Sequence, residues 1–118
     1  MIELKKSELE STLLSISTYD VKTQELLRGL LKEDLTLGTK RKLQKIHKKV
    51  HVEYEEFIKD FKKLEIECKG DKEKFEKEVQ ELLNEVVKLD CEPISILLIE
   101  NISTTTNYNF DIIEKIAI

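Results

Sequence analysis

The sequence predicts a mainly α-helical fold built on a long antiparallel helical hairpin. Three features predict it: 37% of the residues are charged, only three glycines and one proline occur, and apolar residues recur at helical spacing from about residue 43 to residue 89. This combination is typical of long solvated helices whose apolar residues form stripes.

The hairpin is predicted to consist of helices over about residues 39–69 and 71–88. The first helix has apolar residues three or four apart, at Leu43, Ile46, Val50, Tyr54, Phe57, Phe61, Leu64 and Cys68. The second has the same spacing, at Phe75, Val79, Leu82, Val86 and Leu89. Gly70 suits a left-handed helix end and Asp71 suits a helix cap, so the two helices should fold back on each other through a short turn.

Short N-terminal helices are predicted before the hairpin. Ser7 followed by Glu10 has the spacing of a capping box and predicts a helix that continues to Ile16. Asp20 can cap a second helix that continues to Leu31. The alternating Ile2 and Leu4 could add a short strand.

The periodicity changes after the hairpin. Pro93 stops any helix, and the apolar, β-branched run that follows has the length of a strand. Val86–Leu89 could be extended instead of helical, which allows a small β-ribbon around residues 86–102. The spacing of Ile112, Ile113 and Ile116 predicts a short C-terminal helix.

Length and composition limit the number of domains and the expected cellular location. A chain of 118 residues with a net charge of −4 suits a single domain, 1–118, and leaves the type of partner open. No apolar run has the length of a signal peptide or a membrane span, so we expect no membrane association and residence in the cytoplasm of the cell that makes the protein. Two cysteines do not make a disulfide framework, and both are expected to be reduced.

The sequence predicts binding and not catalysis. The many carboxylates of the second helix alternate with lysines, as on a solvated face, and catalysis would need a concave, partly desolvated site. There is also no glycine-rich phosphate loop and no nucleophile elbow. We therefore expect neither an enzyme nor a cofactor.

A basic run at the start of the first hairpin helix is a candidate nucleic-acid contact. It comprises Lys40, Arg41, Lys42, Lys45, Lys48 and Lys49, with no acidic residue between Gly38 and Val52. Such a run could neutralise phosphates. The alternative is a solvated helix end, because no aromatic residue is interleaved to stack on bases.

His47, His51 and Cys91 form a candidate metal site. The two histidines are four residues apart, on one helix face. A hairpin that turns near Gly70 brings together residues whose numbers add up to about 140, so Cys91 should lie level with Lys49. The alternative is two surface histidines and a buried thiol, since a structural zinc site needs four ligands.

The apolar run after Pro93 is a candidate partner-binding surface. Its members are Ile94, Ile96, Leu98, Ile99 and Ile102. These side chains could cover the open end of the hairpin as core, or they could form an edge that pairs with another chain.

The order of motifs resembles a group of small uncharacterised proteins of tailed bacteriophages. The resemblance rests on Leu35-Thr36-Leu37, Thr39, Lys42-Leu43, Lys45-Ile46, Lys49-Val50, Glu56-Phe57, Phe75, Glu78, Glu81-Leu82-Leu83, the Val86–Asp90 segment and Pro93-Ile94. It implies a long charged hairpin, a closing helix and a phage setting, but it carries over no functional residue.

Three functional hypotheses follow. The leading one is a phage virion structural or assembly component that binds other virion subunits. The second is a phage-encoded inhibitor of a host protein, such as a defence factor, with the hairpin as recognition face. The third is a nucleic-acid-binding accessory protein that uses residues 40–51. Either protein-binding hypothesis predicts a homo- or hetero-oligomer, located in the infected cell's cytoplasm or in the virion.

Overall fold

The computed structural model describes residues 2–97 and 110–118, and one long helix runs through its middle. In chain order the elements are β1 (Ile2–Lys5), a 3-10 turn (Lys6–Glu8), α1 (Leu9–Ile16), β2 (Thr18–Tyr19), β3 (Leu26–Arg28), a 3-10 turn (Leu30–Lys32), α2 (Leu37–Glu67), α3 (Lys72–Asn84), β4 (Val86–Leu89) and α4 (Phe110–Lys115). The predicted fold class is confirmed, including the helical hairpin and the short C-terminal helix.

The turn between α2 and α3 has the chemistry that the sequence predicts. Gly70 has a φ of 87°, a backbone conformation that glycine adopts without steric cost. The side chain of Asp71 accepts a hydrogen bond from the N–H of Lys74 at 3.1 Å and so caps α3. α3 stops at Asn84, short of the predicted end near residue 88, because the chain becomes extended at Val86.

β4 pairs with β1 in an antiparallel two-stranded sheet. Ile2 lies opposite Leu89, and Leu4 lies opposite Val87. These four side chains are buried, whereas the residues between them are exposed, as expected when one face of a sheet covers the core. The strands proposed for Ile2 and Leu4 and for Val86–Leu89 are confirmed, but they pair with each other and not around Pro93.

The helix predicted after Asp20 is wrong, since this segment forms a hairpin of β2 and β3. The side chain of Asp20 accepts the N–H groups of Lys22 at 2.8 Å and Thr23 at 2.9 Å. The same bonds can begin a helix or a turn. Here they begin a turn, because Gln24 and Gly29 have φ values of 61° and 121° and interrupt any helix.

The start of α1 also differs from the prediction. The helix itself is confirmed, but Ser7 is not its cap. The side chain of Glu8 instead accepts a hydrogen bond from the N–H of Lys5 at 2.8 Å, which fixes the turn between β1 and α1.

The segment after Pro93 is not the continuous strand that its composition predicts. Ile94 makes an isolated parallel bridge to Ala117: its N–H donates to the carbonyl of Ile116 at 3.0 Å and its carbonyl accepts from the N–H of Ile118 at 2.9 Å. Ile96 and Leu97 are helical. The rest of the predicted run, residues 98–102, lies outside the described residues.

The core lies where the N-terminal half of α2 meets α1, the sheet and the C-terminal segment. Its buried members are Ile2, Leu4, Leu9, Leu13, Ile16, Leu30, Leu43, Ile46, Val50, Val87, Leu89, Ile94, Ile113, Ile116 and Ala117. The C-terminal half of α2 extends beyond this core with α3, and the molecule measures 50 × 34 × 22 Å. None of the helices within the described ranges is both long enough and apolar enough to cross a membrane.

Candidate functional site

One face of α2 carries a row of basic side chains. Arg41, Lys42, Lys45, Lys48 and Lys49 are followed by Val52 and Glu53 on this face. Their intervals of one, three and four residues keep them together on the helix surface. The buried side chains of Leu43, Ile46 and Val50 occupy a different face and hold the helix on the core.

The segment that follows β4 lies opposite this basic face. Lys88, Leu89, Asp90, Cys91 and Glu92 form the second wall. The N–H of Cys91 donates to the carbonyl of Leu89 at 3.0 Å, so the chain turns as soon as the strand ends. The Nζ of Lys42 lies 3.5 Å from an Oε of Glu92 and links the two walls.

The two walls enclose an open groove of about 1000 Å³. That volume lies at the upper end of small-molecule sites. Of the lining residues that the structure describes, six are basic, five from α2 and Lys88, and three are acidic, Glu53, Asp90 and Glu92, so their net charge is +3 (6 − 3). Because the whole chain has a net charge of −4, positive charge is concentrated here.

The groove gathers five of the six residues that the sequence assigned to a basic contact surface. Lys40 is the exception, since it is half-buried and does not line the groove. The second wall was missed. Residues whose numbers add up to about 140 were expected to lie opposite each other, which placed Cys91 beside Lys49. The structure supports this, because the Lys49 ammonium is close enough to lower the pKa of the Cys91 thiol. The same sum, applied to Lys88 and Asp90, could have identified the rest of the second wall.

Cys91 is the one thiol among the described residues that line the groove. Burial raises the pKa of its thiol, and the nearby Lys49 ammonium only partly offsets this effect. The thiol therefore stays protonated at neutral pH, and a thiol is a weaker nucleophile and metal ligand than a thiolate. This environment favours a contact role for Cys91 over a chemical one.

The structure does not bring the predicted metal ligands together. The rings of His47 and His51 stack with their centroids 6.3 Å apart, and neither histidine lines the groove that contains Cys91. Burial and the neighbouring His51 lower the pKa of His47. Within residues 2–97 and 110–118, no three His, Cys, Asp or Glu side chains are arranged to hold a metal ion.

The structure describes only part of the predicted partner surface after Pro93. Ile94 is fully buried, so it belongs to the core and cannot contact a partner in this fold. Ile96 is half-buried against the same core. Leu98, Ile99 and Ile102 lie outside the described residues.

No protein-family model matches the chain, and comparisons with curated proteins and with solved structures give no significant match.

Proposed function

We propose that the chain is a non-enzymatic binding module that holds an acidic segment of a protein partner in the groove between α2 and residues 88–92. The supporting observation is a basic helix face that opens onto a groove in an otherwise acidic chain. Complementary charge of this kind accelerates association and selects the partner.

The lining residues favour a protein over nucleic acid. Val52 and Cys91 add apolar surface, which can bind aliphatic side chains. Asp90 and Glu92 lie opposite the basic row and reduce the groove's positive charge, which suits a segment with a few spaced carboxylates better than a continuous phosphate backbone. Among the described residues that line the groove none is aromatic, although stacking on aromatic rings supplies much of the affinity for single strands.

The phage setting stays part of the proposal and rests on the resemblance alone. A virion partner predicts capture of capsid, portal or tail subunits in near-stoichiometric amounts. The alternative, an inhibitor of a host protein, predicts capture of one host protein and no virion component.

The test compares two double charge reversals on the same helix. Lys48→Glu with Lys49→Glu changes the groove, whereas Lys62→Glu with Lys63→Glu makes the same charge change on exposed residues of the outer hairpin. Tagged versions of both variants and of the unchanged chain would be used to capture partners from phage-infected cells, with and without nuclease. We expect the groove variant to lose its partner by at least about tenfold and the control variant to keep it.

The second candidate function is nucleic-acid binding, which the basic row itself favours. Capture with and without nuclease distinguishes it from binding of a protein partner. Recovery of nucleic acid, and loss of all captured protein on nuclease treatment, would support that alternative. Equal capture by all three versions would show that the groove is not the binding surface and would overturn both.

A further inference from the structure

We propose, on the basis of the groove function above, that the acidic partner segment binds in an extended conformation and adds as a third strand to the free edge of β4. Strand addition is a recurrent mode of peptide recognition, in which main-chain hydrogen bonds give affinity and side-chain contacts give specificity. Three observations support it: the register of the sheet, the position of the groove and the charge of its wall.

The register shows which backbone groups of β4 are free. The N–H of Lys6 donates to the carbonyl of Glu85 at 2.9 Å, in the same register that pairs Leu4 with Val87. Directly opposed residues in an antiparallel ladder alternate between hydrogen-bonded and non-hydrogen-bonded pairs. The backbone N–H and C=O groups of Val86 and Lys88 therefore point away from β1.

The groove lies on that free side of β4. The sheet has two strands, so β4 has β1 on one side and no strand on the other within the part of the chain that the structure describes. Lys88 and Leu89 line the groove, whereas no residue of β1 does. Outside the β1–β4 ladder, the described residues make no hydrogen bond to the main chain of Val86 or Lys88.

The basic wall selects an acidic occupant. An extended segment on the edge of β4 would run between the strand and the face of α2 that carries Lys45, Lys48 and Lys49. Side chains of a strand alternate between its two faces, so every second residue of the added segment could direct a carboxylate towards α2. An unpaired strand edge next to a basic wall thus fits an acidic extended peptide.

The experiment uses a synthetic peptide that alternates glutamate with valine, titrated against the full chain. Lys88→Pro removes the outward N–H without removing a bond to β1, and Lys88→Ala keeps that N–H while it removes the side chain. We expect Lys88→Pro to weaken binding at least tenfold and Lys88→Ala to weaken it less than threefold. Circular dichroism would establish that both variants fold.

Two further measurements test strand addition without any variant of the chain. Binding should slow amide hydrogen exchange at Val86 and Lys88 at least tenfold, and a peptide with N-methyl groups on its bonding edge should not bind. If binding depended on Lys48 and Lys49 but not on the Lys88 N–H or the peptide N–H groups, strand addition would be refuted and the groove function would survive. Binding of duplex DNA but not of the peptide would overturn both proposals in favour of a polyanion site.

Discussion

Gly29 directly follows β3 and lies against the end of α1, where there is no room for a side chain. Its φ of 121° lies where L-residues are strained. A Cβ at this position would also lie 2.5 Å from the carbonyl oxygen of Ile16 and 2.7 Å from the Cα of Ser17, both of them backbone atoms that cannot rotate away.

Replacing Gly29 with alanine should therefore lower the free energy of unfolding by about 2–4 kcal/mol, from backbone strain plus the steric clash. Gly38→Ala is the matched control, because a Cβ there meets nothing within 4 Å. In α2 it should leave stability unchanged or raise it by up to about 1 kcal/mol. Urea unfolding of both variants checks the prediction, and equal midpoints would contradict it.

At the scale of residues, the sequence predicts what depends on neighbours along the chain. Asp71 and Gly70 were assigned correctly, because a cap and a left-handed helix end are local. Gly29 lies inside the helix predicted from Asp20 to Leu31, and its special role escapes prediction because its contact with Ile16 arises only from folding. The basic row followed from helical spacing, but Asp90 and Glu92 face it only through the β1–β4 pairing.

At the scale of elements, the outer part of the α2–α3 hairpin has little buried surface. Between residues 51 and 85 only Cys68 and Leu82 are buried. An aromatic pair links the two helices there: the ring centroids of Phe61 and Phe75 lie 5.8 Å apart at an interplanar angle of 70°. Edge-to-face pairs of this geometry add about 0.5–1.5 kcal/mol beyond the burial of their area.

Phe75→Ala should loosen α3 without unfolding the core. Removing the half-buried ring should cost about 2–3 kcal/mol locally, which corresponds to faster amide exchange in α3 by roughly 30- to 150-fold. Exchange in α1 should not change. Ile66→Ala, at a side chain 77% exposed on the same hairpin, serves as the control and should have little effect. Uniform acceleration through the whole chain would show that the hairpin and the core unfold together.

The boundary between α3 and β4 is a place where the spacing of apolar residues does not predict the secondary structure. Val86 and Leu89 continue the three- and four-residue spacing of the second helix, yet Val86–Leu89 also alternates exposed and buried side chains as a strand. Both interpretations fit the same letters. The partner strand at the other end of the chain, β1, decides between them, and local spacing contains no information about it.

At the scale of the whole molecule, contacts between distant parts of the chain support the groove. The Nζ of Lys6 lies 2.5 Å from an Oε of Glu85. Glu85 directly precedes β4, the strand that leads into the second wall. Lys115 pairs with Glu8, which joins the C-terminal helix to the turn after β1. The position of β4 relative to α2 thus depends on both ends of the chain.

The pair of Glu8 and Lys115 should make this arrangement sensitive to acid. Burial alone would raise the pKa of Glu8, but hydrogen bonds from Lys115 and from the N–H of Lys5 outweigh it and lower the pKa below the ordinary value of 4.5. A carboxyl whose pKa is lower in the folded state contributes stability above its unfolded pKa and loses that contribution as pH falls through its folded pKa. The free energy of unfolding should therefore decrease as pH falls below about 4.5.

Glu8→Gln isolates this contribution. At pH 7 the variant should lose about 1–2 kcal/mol, because a charged acceptor of two hydrogen bonds becomes a neutral one. As pH falls through the lowered folded-state pKa of Glu8 and the native carboxyl itself becomes protonated, the difference should shrink towards zero. Glu10→Gln, at an exposed residue of α1, should change stability little at either pH. If the deficit of Glu8→Gln were as large at acid pH as at neutral pH, the side chain's shape and not its charge would join the two ends of the chain.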